Sequence, residues 1–226
     1  MKKIYFTLCE DFRQMAETFY GEYLMSKQKY ENQAQGNGLL DDIIPAKGMQ
    51  MAASAAVVFE AIAIEAYVNL LGSYLVPDSY YVNYESKTAK IKDRSTLGKL
   101  KSLCKEEIKK SYPADHALEV MQDLFTKRDR IVHTKPVAHS FEIKPFNYNN
   151  IGSNYADYTS AFSEEIGFLY DGLEEQMQSY PTLIQNINAL LGKDMLEEIR
   201  SAPMQNISLA LGDMFTHIFK KDTPES

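Results

Sequence analysis

The chain has 226 residues, 45% hydrophobic and 24% charged, with eleven glycines and eight prolines, which excludes a wholly disordered, collagen-like or low-complexity protein. That length suits one domain, with room for an appended subdomain. A net charge of −7 counts against nucleic acid unless basic residues are concentrated locally, and the two cysteines, Cys9 and Cys104, show neither the spacing of a zinc site nor a disulfide framework.

The first residues carry two lysines but too few apolar residues before Glu10 and Asp11 for an export signal, so a reducing, cytoplasmic location is expected. Phe12, Met15, Phe19, Tyr23 and Tyr30 recur near helical spacing and predict an amphipathic helix over residues 10–31. Gly36, Gly38, Asp41, Asp42 and Pro45 then mark a loop to residue 47. An Ala-, Val- and Ile-rich helix should follow over 48–74, central and buried. Glu60 and Glu65 interrupt it, which argues against a membrane span. Glu60 is expected to be partly exposed at a helix edge, whereas Glu65 with Asn69 is expected to support the helix that carries Arg128.

Residues 76–94 show little periodicity and read as a long surface connection. Its Tyr80, Tyr81 and Tyr84 suit stacking on RNA bases, packing on the bundle or burial in a dimer contact. Ser95 or Thr96 should cap a basic helix with Leu97, Leu100, Leu103 and Ile108 inward and Lys99, Lys101, Lys105 and Lys109 mostly outward. Asp115 caps the next predicted helix, whose apolar positions are Leu118, Met121, Leu124, Phe125 and Val132. Pro136 should stop it near His133 or Thr134. Loop is predicted over 136–156, with a short hairpin near 141–143. Helical patterns return with Phe162 to Met177, Leu183 to Leu191 and Ile207 to Ile218. No convincing strand run appears, so the expected class is all-α.

Charge is distributed unevenly. Residues 87–135 hold thirteen Lys and Arg against seven Asp and Glu, while the remaining chain holds eleven against twenty-four. The basic segment ends in the most informative stretch, LFTKRDRIVHTKP over residues 124–136. Asp129 and His133 are one helical turn apart, so the carboxylate can orient the imidazole and favour its protonated form. The helix terminus raises an imidazole's pKa, while Lys127, Arg128 and Arg130 lower it, which suits proton transfer near neutrality. An arginine fork beside it can grip a phosphate bidentately. The competing structural reading is a surface Arg-Asp-Arg ion network beside a helix-capping histidine.

Arg128, Asp129 and His133, with the flanking Ile-Val-His-Thr-Lys-Pro, resemble the HEPN superfamily (higher eukaryotes and prokaryotes nucleotide-binding). Its ribonuclease members carry an arginine, four to six residues and a histidine, commonly with a polar residue directly after the arginine. Phe59-Glu60-Ala61 and Glu65-Ala66-Tyr67-Val68-Asn69 are similar to an earlier core helix of these proteins, and 97–103 to an intervening helix. The resemblance spans about residues 48–136. Family toxins paired with a nucleotidyltransferase antitoxin commonly have a tyrosine two residues after the histidine, where this chain has Lys135.

The resemblance implies an up-and-down bundle of four or five helices with 48–136 as its core; outside its span, 1–47 is read as an N-terminal helix and loop and 137–226 as additional C-terminal helices, an extension packed on the same domain. It implies a homodimer and a metal-independent, cofactor-free endoribonuclease leaving 2′,3′-cyclic phosphate ends, in a toxin or phage-defence setting with an antitoxin protein as partner. Arg128, Asp129 and His133 would be catalytic and Glu65 and Asn69 supporting. Lys99, Lys101, Lys105, Lys127, Arg130 and Lys135 would contact RNA. The alternative is a non-catalytic module of the same fold that dimerises or binds a nucleotide or partner.

Overall fold

Long side chains on one helix need a narrow neighbour to pack against, and the alanine-rich second apolar stretch supplies it. The computed structural model describes residues 8–33, 39–86, 89, 91–113, 115–133 and 167–201, and these are mostly helical, with no strand among them. Helix α1 spans Cys9–Gln33 and α2 spans Leu39–Leu75. They run antiparallel: Arg13 meets Glu60, Phe19 stacks on Phe59 at 5.6 Å, and Gly48 lies beside Ser26. Helix α2 begins at Leu39 and passes through Pro45, where a loop was expected. Proline removes one backbone bond there, but the turns on either side continue the helix.

Ala53, Ala56, Val57, Ala61, Ile64, Tyr67, Val68 and Leu71 are buried along α2, which makes it the central element as expected. Its segment Lys47–Leu75 is long and apolar enough to cross a bilayer, yet 56% of that window is buried within the protein. Around it pack α3 (Thr96–Leu103), α4 (Asp115–Val132), α5 (Leu173–Gln176) and α6 (Ser179–Leu191). Helix α7 covers Met195–Ser201. The Asp194 side chain accepts the Glu197 amide at 3.0 Å at its start, an acidic cap visible in the sequence but not used to predict this helix.

The connection after α2 does not lie free on the surface. A π-helical turn, Tyr81–Glu85, folds back on α2, burying Tyr80 and Tyr84 and leaving Tyr81 exposed. Tyr80 and Tyr84 therefore take the packing role, stacked at 5.4 Å. Gly72 permits this: a Cβ there would sit 1.9 Å from the Tyr80 ring. Ser95 caps α3, its hydroxyl accepting the Gly98 amide at 3.0 Å. A second π-helical turn, Cys104–Ile108, ends at Lys109 in the left-handed conformation.

Of the helix predicted from Phe162 to Met177, residues 162–166 lie outside the described residues; Gly167 is helical, and turns over 168–172, ending at Gly172 with φ +62°, separate it from the short α5. Val132, expected inward, is exposed at the end of α4, as are Met15 and Tyr30 on α1. The hairpin at 141–143, the helix at 207–218 and Lys135 lie outside the described residues.

Candidate functional site

Helix α4 delivers the motif. It stops at Val132, and the His133 amide still donates to the Asp129 carbonyl at 2.9 Å, so these two residues are stacked one turn apart at the helix end. Both are exposed. Pro136 explains the stop, since the residue before a proline is pushed out of helical geometry.

Arg128, one residue earlier in the turn, points back toward α2. Its Nη1 lies 3.4 Å from Glu65 Oε2, and its Nε lies 2.8 Å from Asp129 Oδ1 without the alignment of a hydrogen bond. The guanidinium sits 5.3 Å from the centre of the Phe125 ring, and the side chain is one-quarter exposed. Glu65, expected to support the motif helix, thus lies beside Arg128. Asn69 does not touch Arg128. Its Oδ1 instead accepts from the Tyr80 hydroxyl at 2.9 Å and from Lys99 Nζ at 3.1 Å.

A second, buried cluster adjoins this one. Lys99 is 4% exposed and pairs with Glu85 at 2.7 Å, and the Tyr80 hydroxyl donates to the same Glu85 oxygen at 3.0 Å. Burial pushes the Tyr80 hydroxyl's pKa up, with Glu85 adding to the shift and Glu65 adding less. Lys99 was expected to face outward toward RNA. The fold turns it inward because the Tyr81–Glu85 turn covers its side of α3, and a buried ammonium requires a partner.

Lys127 is a second correction of the same kind. It is buried, its Nζ donates to the Asp171 carbonyl, and it lies 3.4 Å from Asp123, so it ties α4 to the chain before α5. Lys101 and Lys105 are exposed as expected. Arg130 is exposed with its guanidinium 3.8 Å from the centre of the Phe168 ring.

The chain matches no family model, no curated protein and no solved structure. The reading of the site therefore rests on its own geometry. Arg128 is flanked by two carboxylates, so the trio carries excess negative charge and a phosphate can reach the guanidinium fully only by displacing one of them. Among the described residues no contact joins the His133 ring to Arg128.

Among the described residues, a charged pair with a fully buried carboxylate lies elsewhere, and the sequence reading missed it. Glu60, expected at an exposed edge, is 0% exposed, holds Arg13 of α1 at 2.8 Å and accepts the Tyr180 amide at 2.9 Å. That amide sits in the first turn of α6, where backbone N–H groups lack intrahelical partners. Desolvation raises the Glu60 pKa to about 7 against the opposing pull of Arg13 and the Tyr180 amide. A buried glutamate facing an arginine 47 positions earlier leaves no local signal.

Proposed function

We propose that this chain is a cytoplasmic, homodimeric, HEPN-like endoribonuclease that cleaves RNA without a metal ion. The observation that carries the reading is the exposed His133 at the end of α4, one turn beyond Asp129, with Arg128 of the same helix held between Asp129 and Glu65 of α2. In the reaction the ribose 2′-oxygen loses its proton and bonds to phosphorus while the P–O5′ bond breaks. The 5′-oxygen takes up a proton, leaving a 2′,3′-cyclic phosphate and a 5′-hydroxyl. His133 moves protons, Arg128 stabilises the charge on the phosphorane-like oxygens and Asp129 orients the pair. Exposed Lys101, Lys105 and Arg130 steer the strand.

The second reading, a non-catalytic module that dimerises or binds a nucleotide or partner, is favoured by one specific feature: Arg128 is three-quarters buried and already shared between Glu65 and Asp129. Cleavage of a mixed-sequence RNA in EDTA, with end-group analysis, separates the two. The enzyme reading expects cyclic-phosphate ends from the wild type and a loss of about 100-fold or more in His133→Ala. A folded dimer that leaves RNA intact, or equal cleavage by both proteins, decides for the module.

A further inference from the structure

Three tyrosine rings form a ladder between α1 and the turns that precede α5. Tyr23 stacks on Tyr20 with centroids 5.9 Å apart and on Tyr170 at 5.6 Å. The ladder walls a cavity of about 670 Å³ that Lys27, Glu174 and Glu175 also line, far from the α4 motif in sequence and sharing no residue with it. A space of this size accepts a small organic molecule.

Tyr23 is 6% exposed and lines the cavity. The Tyr170 hydroxyl beside it is buried and unpaired, and an unsatisfied buried polar group is costly.

The charge around the ladder selects the ligand class. Tyrosine faces carry the negative side of the ring quadrupole, which attracts cations. Glu175 is held by His116 at 2.6 Å, whereas Glu174 forms no ion pair among the described residues and lies near enough to Tyr20 to add to the raised pKa that burial gives it. Lys27 is exposed on a long stem, so its ammonium can swing to solvent. We propose that this cavity binds an organic cation, an alkylammonium or guanidinium group seated against the tyrosine ladder with Glu174 as its counter-ion.

Calorimetric titration of the full chain with spermidine, tetramethylammonium and phenyl phosphate tests this. Both cations should bind one per chain and phenyl phosphate should not. Glu174→Gln, at an exposed position that leaves the fold intact, should weaken spermidine about tenfold, and Tyr20→Leu should weaken both cations by a similar factor. The proposal fails if neither cation gives heat up to about 10 mM, if the folded Glu174→Gln protein binds them as the wild type does, or if phenyl phosphate binds and Lys27→Ala abolishes it.

Discussion

Burial decides what each charged side chain of this protein can do. Glu60 shows the effect most sharply, since its carboxyl is surrounded by Arg13 and Glu17 from α1 and by the Tyr180 amide from α6, and desolvation still dominates. Its folded pKa of about 7 stands above the ordinary 4.5, so the native state binds the proton more tightly than the unfolded chain. The stabilisation this gives is complete below the unfolded pKa and is lost as pH rises through 7. Urea melts should therefore show stability falling between pH 5 and pH 8 by up to about 3 kcal/mol, and Glu60→Gln should flatten that slope. A slope unchanged in the variant would place the titration elsewhere. Lys99 and Lys127 are each held by oxygen partners inside the fold and thereby withdrawn from any ligand.

Among the elements, the connection between α2 and α3 does the most to shape the site. It crosses α2 at Gly72, stacks Tyr80 on Tyr84 and brings Glu85 to Lys99, so a loop without periodicity becomes the lid over a polar network. A methyl group at Gly72 collides with the Tyr80 ring, whose hydroxyl is itself tied to Asn69 and Glu85. Gly72→Ala should cost about 1–3 kcal/mol in denaturant unfolding, the range typical of overpacking. Gly72→Ala combined with Tyr80→Leu should recover part of that loss if the ring is the obstacle. A Gly72→Ala protein as stable as the wild type would mean that the connection does not close on α2 in solution.

At the scale of the whole molecule, an acidic body carries one basic segment, and the fold reduces the charge that this segment presents. Of the described cations first assigned to RNA, Lys101, Lys105 and Arg130 are exposed while Lys99 and Lys127 are neutralised internally. Each exposed cation that meets a phosphate of single-stranded RNA contributes about −0.7 to the slope of log affinity against log salt. Lys101→Ala should make that slope shallower by about 0.7, and Lys127→Met, studied where it remains folded, should leave it unchanged. A slope that responds to Lys127 would put that side chain on the RNA, against its burial here.

The all-α class, the central alanine-rich helix, the Ser95 cap and the end of α4 beside His133 were all legible in the residues, because helical periodicity, capping and proline act over a few neighbouring positions. Glu65 and Arg128, singled out separately in the sequence, lie 3.4 Å apart. The pairing of Arg13 with Glu60, the inward turn of Lys99 and Lys127 and the stacking of Tyr170 on Tyr23 were not legible. Each joins residues distant in the chain, and whether a lysine faces water or a carboxylate depends on which element covers it. Local pattern thus determined the helices and the place of the motif, while tertiary packing alone decided which of its charges remain available.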